Sequence, residues 1–133
     1  DHAGFEMKTF LIKELEKLQI KTIDLGCDNA EKSVDYPDQA QKLGKKLTSE
    51  IGVLVCGSGI GISIAANRFK NIRAALCHNA KYAKLSRMHN DANVLCIGAR
   101  MVSQKTALTI LKAFLNTEFD GGRHEKRVAK LSK

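Results

Sequence analysis

The sequence predicts an α/β domain, a parallel sheet covered by helices on both faces, and three observations predict it. Short apolar, β-branched runs alternate along the chain with stretches whose apolar residues recur at helical spacing. The apolar run at residues 51–55 passes directly into a loop with glycine at every second position and then into a helix opening. With 133 residues, 44% of them hydrophobic, the chain suits one domain around one core.

The elements follow in order. Met7, Leu11, Leu15 and Leu18 recur at helical spacing, so residues 4–18 form an amphipathic helix. Residues 20–25 read as a short strand closed by Gly26. A helix that opens an α/β chain ordinarily follows a strand, so a strand before Asp1 is expected, with Asp1 and His2 at its carboxyl end. Residues 27–35 are a polar loop. Tyr36-Pro37-Asp38 starts the next helix, with proline in its first turn and Ala40, Leu43 and Leu47 on its buried face. The strand at 51–55 leads through a loop at 56–61 to a helix at 62–69. A strand at 73–77 and a helix at 80–88 follow, the helix ending in His89-Asn90-Asp91. A strand at 93–97 is left by Gly98-Ala99-Arg100. Ala107, Ile110, Leu111 and Phe114 mark a helix at 103–115, Gly121-Gly122 break the chain, and residues 123–131 form a last, basic helix. No repeat, low-complexity tract or linker divides residues 1–133. In sheets of this kind ligands bind outside the carboxyl ends of the strands, where Asp1, His2, Cys56 and Arg100 are expected.

Bulk properties exclude several classes. The net charge is +8, from 22 Lys and Arg against 14 Asp and Glu. The lysines are scattered, there is no Trp, and basic and aromatic residues do not alternate, so nucleic acid is not the expected partner. A positive field does help recruit an anionic small molecule. No apolar run approaches the ~20 residues of a membrane span, and no signal peptide is evident. Cys27, Cys56, Cys77 and Cys96 are widely separated with no C-x-x-C pair, which suits reduced thiols in a cytoplasm better than disulfides or a zinc site.

The motif at residues 57–61 is G-x-G-x-G. It is not the dinucleotide fingerprint, which needs G-x-G-x-x-G, because residue 62 is Ile; nor does a G-K-[ST] follow, as a Walker loop requires. A tight turn would explain the glycines. Three of them after a buried strand and before a helix N-terminus also make a cradle of outward N–H groups for an oxyanion or phosphate. Cys56 stands at its mouth, and two readings stay open: a small buried hydrophobe, or a thiolate favoured by the following helix and able to act as base or nucleophile. Cys77 and Cys96 fit the first reading. His89 closes a helix, where histidine is often only a dipole partner. His2 and His124 carry less signal still, and His78 is read as structural. Arg123 and Arg127, four apart, are either a solvated basic tail or a pair of guanidiniums for one phosphate, which Arg100 could join.

Five blocks together carry a resemblance. Asp1-His2-Ala3-Gly4-Phe5, Asp35-Tyr36-Pro37, Cys56-Gly57-Ser58-Gly59-Ile60-Gly61, Ser86-Arg87-Met88-His89-Asn90-Asp91-Ala92-Asn93 and Gly121-Gly122-Arg123-His124 occur in register. Over essentially the whole chain this is similar to the family of B-type ribose-5-phosphate isomerases and galactose-6-phosphate isomerase subunits. The resemblance implies a three-layer α/β/α, Rossmann-like domain with a five-stranded parallel sheet whose first strand precedes Asp1. It implies aldose–ketose isomerisation without metal or cofactor. Cys56 would be the base between C2 and C1, and His89 the acid that assists furanose opening. Ser58, Asn90 and the N–H groups of Gly57, Gly59, Ile60 and Gly61 would hold the enediolate oxygens. Asp1 and His2 would contact the sugar, Tyr36 would line the site, and Arg100, Arg123 and Arg127 would bind phosphate. The implied assembly is a homodimer or tetramer with shared sites, the 123–131 helix and His89 reaching the partner. A hexose-6-phosphate isomerase and a non-catalytic phosphosugar-binding subunit are the alternatives.

Overall fold

Strands β1 (Gly52–Cys56), β2 (Ala74–Leu76) and β3 (Val94–Gly98) form a parallel sheet in the order β1-β3-β2 in the computed structural model, which describes residues 1–132. The register pairs Gly52 with Val94 and Cys56 with Gly98, so β1 and β3 end level. Among the described residues there are six helices: α1 (Phe5–Lys17), α2 (Tyr36–Lys46), α3 (Ile60–Ala66), α4 (Ala80–Asn90), α5 (Gln104–Leu115) and the short, peripheral α6 (Glu125–Val128).

The two faces of the sheet carry separate cores. Val55, Leu95 and Ile97 pack with Met7 and Leu11 of α1 and with Ile110, Leu111 and Phe114 of α5. Leu54, Cys56, Val94 and Cys96 pack on the other side with Ala40 of α2 and with Ile62 and Ala66 of α3. Alternate residues of each strand point to opposite faces, and both faces are covered, which is why these strands read as continuous apolar runs. The three-layer α/β arrangement therefore stands as expected.

Several expectations need correction. Residues 20–25 form no strand: they have no ladder partner, and Ile23 is 76% exposed. Three strands of the expected five are present among the described residues. An apolar groove of about 400 Å³ lies between residues 20–25 and β1, lined by Leu11, Leu15, Ile20, Ile23, Val53 and Val55 among others. The glycine loop is shorter than expected, residues 57–59, because α3 already starts at Ile60 and ends at Ala66, not at residue 69. The last helix is also short. Gly122–His124 is a 3-10 turn and α6 covers only Glu125–Val128, since two glycines with positive φ precede it. No helix is long and apolar enough to cross a membrane among the described residues.

Candidate active site

The loop after β1 is built by backbone geometry that only glycine supplies. Gly59 has φ +80°, and a Cβ there would stand 2.5 Å from a Leu76 methyl and 3.0 Å from the Gly98 nitrogen. This turn folds the chain back on Cys56, whose Sγ accepts the Gly59 N–H at 3.2 Å. The Ile60 N–H donates to Ser58 Oγ at 3.2 Å. Gly61 and Ile62 follow in the first turn of α3, where N–H groups have no intrahelical acceptor.

Side chains from three other parts of the chain close on this loop. Arg100 leaves β3 level with Cys56; its backbone N–H donates to the Gly57 carbonyl at 3.0 Å, and its guanidinium lies against Gly57. Tyr36, the first residue of α2, packs its ring against Gly61, where a Cβ would stand 2.6 Å from Cζ and 3.0 Å from the hydroxyl. The backbone nitrogen of Asp1 donates to the Val55 carbonyl at 2.7 Å, which sets Asp1 beside the carboxyl end of β1. The Asp1 carboxylate caps the turn at His2–Gly4 by accepting from the Gly4 N–H at 3.2 Å. His2 Nδ1 accepts the Val34 N–H at 3.1 Å. Asp1, Tyr36, Cys56, Gly57, Ser58, Gly59, Ile60, Gly61 and Arg100 are thus one constellation.

Cys56 is 4% exposed at the base of this loop and lines neither the groove beside β1 nor the cavity described next. Cys77 and Cys96 are more deeply sealed, and burial pushes both thiols above their ordinary range. They are packing residues, as their apolar surroundings in the sequence suggest.

His89 and Asn90 fall in the last turn of α4, five and four residues before Val94 at the amino end of β3. That is the opposite end of the sheet from Cys56. Asp91 ends the helix in the left-handed region (φ 45°), and its carboxylate holds Arg73 at 3.1 Å and Arg87 at 3.2 Å. The chain then returns: the Asp120 N–H donates to the Met88 carbonyl at 3.0 Å, and the His124 ring stacks on His89 with centroids 4.5 Å apart and planes at 15°. A cavity of about 250 Å³ here is lined by His89, Asn90, His124, Arg127, Val128 and Leu131. Arg123 is exposed nearby in the 3-10 turn and does not line it. Side-chain nitrogen and oxygen atoms of His89, Asp120 and His124 come within 4.8 Å of one another, donor types that could hold a cation. Arg123 and Arg127 flank His124, so the local field favours an anion. Asp120 is the residue that sequence reasoning missed, and His124 one to which it gave little signal; their meeting with His89 depends on the chain's return and leaves no periodic signal.

An α/β domain whose cysteine-bearing glycine loop is attended by an arginine, and whose second cluster pairs histidine with arginine, is of the class that handles small phosphorylated substrates. The model for the family described as "Ribose/Galactose Isomerase" matches residues 1–131, and the chain belongs to that family. Ribose-5-phosphate isomerase B of Escherichia coli is 41% identical over 131 residues, covering 96% of this chain and 87% of that protein. The structure of ribose 5-phosphate isomerase B from Anaplasma phagocytophilum superposes with a TM-score of 0.95 at 54% identity, covering 98% of this chain and 91% of that one. The Mycoplasma genitalium enzyme, solved with bound ribulose-5-phosphate, gives 0.91 at 38% identity over 99% of this chain and 90% of that one.

Proposed function

We propose that this protein interconverts D-ribose 5-phosphate and D-ribulose 5-phosphate through an enediolate. The observation that carries the reading is the loop after β1, where a cysteine sulfur accepts the Gly59 N–H just before the N-terminus of α3, with Arg100 against Gly57 and Tyr36 against Gly61. Cys56 takes the proton from C2 of the open-chain aldose, and the C–H electrons become the C1–C2 double bond as charge passes to the carbonyl oxygen. The O2 proton passes to O1, and the sulfur returns a proton, exchangeable with solvent while it sits on sulfur, to C1; the C1–C2 double-bond electrons form the new C–H bond and O2 becomes the ketose carbonyl. Ser58 and the N–H groups of Gly57, Gly59, Ile60 and Gly61 face the developing oxyanion, a contribution of roughly 3–4 kcal/mol per well-placed donor. Asp1 and His2 contact the sugar, and Arg100, Arg123 and Arg127 hold the phosphate, which fixes C1 and C2 against sulfur. No metal or cofactor enters the reaction.

In this reading two chains share each site. Within one chain the β1–β3 register puts Cys56 four residues further along the sheet than its amino end, about 13 Å at ~3.3 Å per residue, while His89 lies beyond that end. His89, Asn90, Arg123 and Arg127 therefore serve the partner's loop, with His89 protonating the furanose oxygen as the ring opens. Ile60 and Ile64, 54% and 62% exposed and one turn apart on α3, give an apolar patch for the partner, and residues 123–131 reach across to it. The assembly is a homodimer, or a tetramer of two such pairs. The same reading treats residues 1–133 as one domain. A five-stranded, Rossmann-like sheet goes with the same reading, since the groove beside β1 leaves that edge of the sheet open. A cytoplasmic location goes with four unpaired cysteines.

The deciding experiment assays the protein with ribose 5-phosphate, galactose 6-phosphate and allose 6-phosphate side by side. Ribose 5-phosphate should be turned over with kcat/KM at least about tenfold above either hexose phosphate, the order of discrimination one extra carbon gives. Preference for a hexose phosphate would move the substrate. Folded protein inert on all three would leave only a binding role.

A further inference from the structure

The His89 ring is held by a residue that the proposed chemistry does not use. His124 is 8% exposed and stacks on it face to face, with centroids at 4.5 Å and planes at 15°. The stack is built deliberately by the chain. Gly121 (φ +67°) and Gly122 (φ +55°) turn the backbone through two successive left-handed residues, a path that side chains rarely take. The His124 N–H donates to the Gly121 carbonyl at 3.1 Å, and Asp120 anchors the segment to α4 through the Met88 carbonyl. Both rings line the same cavity, together with Arg127.

We propose that His124 is a positioning residue for His89: its ring clamps one face of the His89 imidazole and fixes the direction in which that ring faces the cavity. This rests on His89 being the acid of ring opening. Two parallel imidazolium rings at this distance would repel strongly. The charged groups around His124 are His89 from α4, Asp120 from the preceding loop, Arg123 from the 3-10 turn and Arg127 from α6. Burial, His89 and the two arginines all disfavour charge on His124, and only Asp120 favours it. An imidazole on which charge is disfavoured, wedged by the turn at Gly121-Gly122, can hold its neighbour's ring in one orientation.

Ring opening and proton transfer can be read separately, which makes the idea testable. Ribulose 5-phosphate has no furanose form, because its C5 oxygen carries the phosphate. Exchange of its C1 proton with solvent deuterium therefore reports Cys56 chemistry alone, whereas isomerisation of ribose 5-phosphate needs the ring opened first. For His124→Ala we expect kcat on ribose 5-phosphate to fall about tenfold, with KM within about twofold and C1 exchange unchanged, a loss of the order associated with groups that orient another. His124→Phe keeps a ring on the His89 face and should recover at least half of the lost rate. His89→Asn should show the same split, more severely.

Unchanged kcat in His124→Ala, or equal loss of isomerisation and exchange in folded His124→Ala and His124→Phe, overturns the positioning role. If His89→Asn loses both readouts equally, the ring-opening role of His89 itself fails, and the proposal with it. If His89→Asn shows the split and the His124 variants do not, only the proposal fails.

Discussion

The guanidinium of Arg100 rests on Gly57, so closely that a Cβ added to the glycine would stand 2.9 Å from Nη1. The contact joins the end of β3 to the loop after β1, and its far partner is the tip of a flexible side chain. Gly57→Ala should therefore displace the guanidinium without unfolding the domain. The expected outcome is a KM for ribose 5-phosphate raised roughly tenfold with kcat changed less, the loss of about one charge-assisted contact at ~1.5 kcal/mol. Steady-state kinetics beside a urea melt check it; a large drop in the melt midpoint would point to the backbone instead.

Two residues further on the same substitution should behave differently. Gly59 sits at φ +80° with the Gly98 nitrogen and the Ile97 carbonyl carbon both 3.0 Å from a would-be Cβ. Backbone cannot move aside as a side-chain tip can. Gly59→Ala should cost on the order of 2–4 kcal/mol of folding free energy, from an alanine forced into the left-handed region and from the clash. Urea denaturation would show it as a lowered midpoint at constant slope, and a midpoint equal to the parent's would contradict it.

If two chains complete each site, two inactive chains can restore one another. Cys56→Ala should lose at least about 10³-fold in kcat, as removal of a reacting group does. It should stay folded, because the buried thiol is replaced by a methyl. His89→Asn should be crippled independently. Mixed after denaturation and refolding together, half of the dimers would pair one of each and carry one intact site, so activity should return to about a quarter of the parent's. No recovery in a mixture shown to form mixed dimers would put both residues on the same chain's site.

The His124 imidazole is held below its ordinary value of 6.5, first by burial and then by the charges of His89, Arg123 and Arg127. A folded chain that binds fewer protons than the unfolded one loses stability as pH falls. The loss starts as pH drops through 6.5 and levels off below the depressed folded value. Melting temperatures should therefore fall between about pH 7.5 and 5.5, and His124→Phe, which removes this group's contribution, should flatten the slope. Parallel slopes in the two proteins would remove His124 as the cause.

The sequence determined the layers and half of the site. Apolar runs at residues 51–55, 73–77 and 93–97 became strands within one residue at their edges, because a strand buried on both faces must be apolar throughout, and little else is. Helical spacing at Met7, Leu11 and Leu15 and at Ala107, Ile110, Leu111 and Phe114 marked the faces that now pack on β1 and β3. The glycine loop and Cys56 were legible because strand, turn and helix follow one another along the chain.

The tertiary structure decided the rest. Residues 20–25 have strand composition but no strand, because a strand is a relation to a partner and β1 offers them none across the groove. Arg100 was expected at the strand ends, from where it could also join Arg123 and Arg127; within one chain the level ends of β1 and β3 set it on Gly57. His124 meets His89 only because the backbone reverses at Gly121-Gly122, bringing together side chains 35 positions apart. Periodicity encodes which face of an element is buried; it carries no record of which distant surfaces then meet.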